Sequence, residues 1–171
     1  MKHLSLRLLI TLLTFTTGVA IATVWDVYPN VQSAPKQLEV SRNIEEENIA
    51  EAAFRYKFED FSDGRKFSVY FLWLEDERDP SDDFMSRFAG NKPPVKKVSQ
   101  SVKVSDGVKD KETGKRGVIY GIPRIKWLND TEVDVSVSKW VWGWGQYGYV
   151  CRAVKEKDGW MVKRCELTSA T

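Results

Sequence analysis

Histidine is almost missing from this chain of 171 residues: the single one, His3, stands ahead of the first apolar run. Its absence from everything that follows removes Ser-His-Asp and Cys-His nucleophile systems, histidine general bases and most zinc sites. Cysteine is scarce, with only Cys151 and Cys165. Neither lies near Ala22, which excludes a lipoprotein anchor there. An excess of one charge is lacking too. The net charge is +2, and with Lys2 and Arg7 set aside the rest holds 24 basic and 24 acidic residues. No basic run with interleaved aromatics occurs, so nucleic acid is not an expected partner.

What is present begins with a basic start, Lys2 and Arg7, before an uncharged run from Leu8 to Trp25. That pattern marks either a signal peptide or a transmembrane anchor over residues 1–25. Ala20-Ile21-Ala22 fits cleavage near Ala22, while the length and the closing Trp25 fit an uncleaved anchor in the membrane. Both readings place the remainder outside the cytoplasm, periplasmic or at the cell surface. Residues 26–42 contain Pro29, Pro35, Asn30 and Gln32 and read as a linker, leaving 43–171 as one exported α+β domain.

Within that domain, Asn43 and Glu46 form a capping-box pair, predicting a long helix from about Ile44 to Phe58. Its apolar stripes are Ile49, Ala53, Tyr56 and Ala50, Phe54, Phe58. Lys66–Leu74 is apolar on both faces, which suits a strand inside a sheet covered on both sides. Asp79-Pro80 opens a short helix with Phe84, Met85 and Phe88 buried. A strand over 95–104 follows, then a polar hairpin tip from Asp106 to Gly117. Pro123 divides the short strands 118–122 and 124–128 and points to a sheet edge. The expected fold is thus one long and one short helix on a curved, mainly antiparallel sheet of about five to six strands, ending in a meander.

The meander organises the rest. Val133, Val135 and Val137 alternate with Glu132, Asp134 and Ser136, a half-buried strand. Continued by twos, the count puts Val141 with the valines and Trp140, Trp142 and Trp144 on the polar side. A two-residue turn at Gly145-Gln146 would pair Trp144 with Tyr147 and Trp142 with Tyr149, gathering five rings on one face. Val150, Val154, Trp160 and Val162 would complete the valine side. A β-bulge at Ser138-Lys139 would instead turn the indoles into the core. A three-residue loop at Lys157-Asp158-Gly159 sets Cys151 opposite Cys165, within disulfide reach, and Arg152 opposite Arg164. Two buried free thiols are the bland alternative.

Several stretches together resemble a family of uncharacterised bacterial exported proteins with an N-terminal apolar segment and a small α+β domain. They are Phe54–Phe58, the run DPSDDFMSRFAGNKPPVKK (Asp79–Lys97), Asp110–Gly114 and WLNDTEVDV (Trp127–Val135). The resemblance implies fold and location and brings no activity with it. This chain departs from the family at Trp140–Tyr149, where the others have a looser Gly/Ser turn, and in having both cysteines. The helix followed by a curved sheet is also similar to the nuclear-transport-factor-two-like, or cystatin-like, architecture.

The functional expectation is an exported interaction domain without catalysis. Its candidate surface is the aromatic face Trp140, Trp142, Trp144, Tyr147 and Tyr149, which would take a second copy, a protein partner or a glycan. Burial of the same rings under a helix is the competing expectation. The alternative function is a small pocket enzyme working through carboxylates, for which Glu132 and Asp134 are a pair in sight. The acidic residues from Glu75 to Asp83 do not match EF-hand spacing. No metal site and no cofactor is expected.

Overall fold

In the computed structural model, residues 34–59, 67–142 and 145–171 are described, with side chains from Glu39 onward except that of Trp142. The N-terminal apolar run and the proposed cleavage site lie outside these residues. Asn43–Thr171 forms one compact unit.

Helix α1 runs from Ala34 to Phe58, longer than the expected span. Pro35 stands in its first turn, where its missing N–H costs nothing, so it starts the helix. Asn43 is therefore an interior residue and not a cap. The buried arc holds Ile49, Ala50, Ala53, Phe54, Lys57 and Phe58, while Tyr56 falls at its margin and is exposed.

The chain then forms β1 (Val69–Leu74), a short α2 (Asp82–Ser86), β2 (Val95–Lys97), a 3-10 turn (Val98–Gln100), β3 (Ser101–Val104) and β4 (Gly107–Asp110). Four long strands follow: β5 (Arg116–Asn129), β6 (Glu132–Trp142), β7 (Gly145–Glu156) and β8 (Gly159–Ala170). They make one eight-stranded sheet in the order β2-β1-β5-β6-β7-β8, with β4 also on β5 and β3 on β4. The pairs of β1 with β2 and β5 are parallel, and the others are antiparallel. The α2 cap is Ser81, whose hydroxyl accepts from the Phe84 N–H, and not Asp79. Asp79 instead accepts from the Ser99 N–H.

β1 matches its both-faces pattern. Tyr70 and Leu72 join the main core under α1, and Val69 and Phe71 join a second core on the opposite face, with Val108 and Ile119. β5 corrects the expectation of an edge: it is one continuous strand in the middle of the sheet. Pro123 falls in the register shift between Gly121 and Arg124, where no ladder donor is required of it.

The alternation of β6 holds unbroken from Glu132 to Val141, with the odd positions buried. The hairpin that follows is displaced from the expected turn. Trp142 pairs with Gly145 and Trp140 with Gln146, so Gly145 and Gln146 belong to the ladder and not to the turn. Val137 then faces Tyr149 and Val135 faces Cys151. The pairing differs from the expected one by an odd number of residues, and an odd slip carries every side chain of a strand to the other face. Tyr147, Tyr149, Cys151 and Ala153 lie on the α1 side, while Val150 and Val154 lie on the outer side, reversing the expectation for both valines.

Candidate binding surface

The five aromatic residues do not form one face. Trp140 stays on the outer side of β6, but it packs half-buried against the second core, and Lys103 lies over its ring with the ammonium 4.6 Å from the centroid. Tyr147 and Tyr149 pack on the opposite side, against the main core. The Lys57 ammonium sits 3.6 Å from the centre of the Tyr149 ring. The side chains of Trp142 and Trp144 lie outside the described residues. A split between faces follows from the odd slip in β7, which no count along β6 alone can reveal.

Cys151 and Cys165 are disulfide-bonded and directly opposed, with Cα atoms 4.0 Å apart. The expected pairing is right, but the loop that produces it is not the expected one. Glu156 pairs with Gly159, which leaves a two-residue tip, and Gly159 has φ 126°. A register shift between Arg152 and Ala153, which leaves Lys163 unmatched, then restores the cysteine pairing.

The facing arginines are reconciled by their outer-side neighbours. Arg152 donates through Nε to Asp134 at 2.7 Å and through Nη1 to Glu132 at 2.6 Å. This double pairing holds its guanidinium above the ordinary arginine range. Arg164 is left with Glu166, 3.5 Å away, and both are about two-thirds exposed, at 65% and 67%. The Glu132/Asp134 carboxylates are thus occupied as partners of Arg152.

Carboxylates elsewhere are engaged as well. A cleft of about 390 Å³ lies between α1 and the turn after β1, lined by Glu46, Glu47, Asp79, Leu74, Ile122 and Arg124. Glu46 accepts from Trp127 Nε1, and Glu47 pairs with Arg87 at 2.8 Å. The adjoining turn holds Glu75, Asp76 and Glu77 at φ of 29°, 42° and 58°, a run of left-handed residues closed by the Leu74–Arg78 bridge. Among the described residues no group of three or more metal-ligating side chains occurs, and no helix is long and apolar enough to cross a membrane.

The remaining feature is the free side of β8. Among the described residues, this strand of twelve residues ends the sheet and pairs with β7 alone. The other end of the sheet is β2, only three residues long. The close Cα spacing of the Cys151–Cys165 pair is that of a non-hydrogen-bonded pair, so Cys165 directs its N–H and C=O away from β7. Leu167, two residues on and paired with Tyr149, does the same. Leu167 is 57% exposed, and Tyr56 and Cys165 line a groove on its α1 side. Sequence reasoning missed this edge, because pairing rules say which strands meet and not which one is left last. No protein-family model, no curated protein and no solved structure matches the chain.

Proposed function

We propose that the chain is an exported domain that works by binding, and that it takes a protein strand along the free edge of β8. The N-terminal segment would hold it at the membrane or, after cleavage near Ala22, release it outside the cytoplasm. The observation carrying this reading is the β8 edge itself. A long strand with outward backbone donors and acceptors, bordered by an exposed leucine, is a template for strand addition.

The alternative, a small pocket enzyme working through carboxylates, has weaker support. A general acid or base needs a carboxyl free to reach substrate, and Glu46, Glu47, Asp79, Glu132 and Asp134 each hold a donor from the protein itself. A glycan face is weakened by the separation of Trp140 from Tyr147 and Tyr149, since stacking needs rings on one surface.

The test is a photo-crosslinking residue placed at Leu167 in the full chain, irradiated in producing cells. A crosslinked species of defined mass supports strand addition at β8. Absence of any product at position 167, with the chain folded and disulfide-bonded, overturns it.

A further inference from the structure

We infer that the strand received by β8 is β8 of a second copy, antiparallel and centred on Cys165. This rests on the edge reading above and names its partner. In an antiparallel pair about Cys165, the residue one place before faces the residue one place after. Arg164 of each copy then meets Glu166 of the other, twice across the axis. Both side chains project on the outer side, where they are largely exposed and, among the described residues, held by their mutual 3.5 Å contact. Arg152, which lies opposite Arg164 on the same face, is taken by Asp134 and Glu132.

The backbone agrees with the same centre. Cys165 points its N–H and C=O outward, so two copies centred there exchange both bonds as a hydrogen-bonded pair. Moving the centre one residue either way brings Arg164 opposite itself or Glu166 opposite itself, and like charges directly opposed are unfavourable. Charges on an edge strand commonly prevent pairing. Here the signs are ordered so that they prevent the neighbouring registers and favour one. On the α1 side, the join brings Leu167 and Tyr56, 57% and 38% exposed, against the second copy.

Sedimentation of the full chain in mild detergent tests this. The wild-type chain is expected to form dimers. Arg164→Glu and Glu166→Arg should each weaken the dimer roughly tenfold, two attractive cross-strand pairs becoming repulsive, and the double variant should restore it. Leu167→Pro should give monomers with the melting temperature of dilute, monomeric wild type, because the lost N–H faces away from β7. A wild-type monomer at about 100 µM, well above the range of a specific dimer, or a double variant as weak as the single ones, overturns the second copy. The crosslink at Leu167 separates the two readings. A product of twice the chain mass supports both, a product of another mass sinks only the second copy, and no product sinks both.

Discussion

The ammonium of Lys57 rests 3.6 Å from the centre of the Tyr149 ring, and Lys57 is only 2% exposed. A lysine enters a core at a large desolvation cost, and an aromatic face offsets part of it. The pair also joins α1 to β7, the strand whose facing decides the site. A double-mutant cycle with Lys57→Met and Tyr149→Leu, read by urea denaturation, should give a coupling of about 1–2 kcal/mol. Additive effects of the two substitutions would show that the ring does not hold the charge.

Gly121 carries the second core. It pairs with Trp73, and a Cβ at Gly121 would overlap the Trp73 ring. Gly121→Ala should destabilise the protein by about 1–3 kcal/mol, the usual cost of overfilling a tight site. Adding Trp73→Phe should recover part of the loss. Chemical denaturation of the three variants measures both steps.

The turn after β1 offers the opposite change. Glu77 is exposed, with φ 58°, a conformation that costs a side-chain-bearing residue about 1–2 kcal/mol. Glu77→Gly should therefore raise stability by about 1 kcal/mol, less than the whole strain because glycine also loosens the unfolded chain. A lower denaturation midpoint in this variant would contradict the left-handed turn.

Asp110 sets an acid limit. Burial works against its charge, but the Thr113 hydroxyl, the Lys96 ammonium and the Glu112 N–H outweigh it and hold the carboxyl below the ordinary aspartate range. A carboxyl with a lowered folded pKa stabilises fully above its unfolded value, and that contribution is lost as pH falls through the folded one. Stability should thus drop between about pH 5 and pH 2. Asp110→Asn should be less stable at neutral pH and should show a shallower acid decline in denaturation midpoints.

How far the sequence carried is clear from particular residues. Val133, Val135 and Val137 announced the core side of β6, and the unbroken apolar character of Val69–Leu74 announced a strand covered on both sides, because burial on each face leaves no polar position. The cysteine pairing was legible, though through a loop and a bulge whose one-residue effects compensate. The facing of β7 was not. Gly143 and Gly145 can each open a two-residue turn, and only the packing of Tyr149 and Cys151 under α1 selects between them. Pro123 was misread for a related reason: proline forbids a donor, and whether a donor is wanted depends on neighbours elsewhere in the chain. The expectation of a single aromatic face fell with the β7 facing, which puts Tyr147 and Tyr149 on the side opposite Trp140.

The bond from Cys151 to Cys165 closes a segment of fifteen residues around the turn between β7 and β8. Such a closure is worth about 3 kcal/mol, and here it ties the outermost strand to its neighbour. Where thiols are kept reduced, that strand loses this constraint, and a frayed strand presents no ordered row of amides. On the β8 pairing proposed above, oxidation would then act as a licence: a copy whose two sulfurs are joined would associate, and a reduced copy would wait.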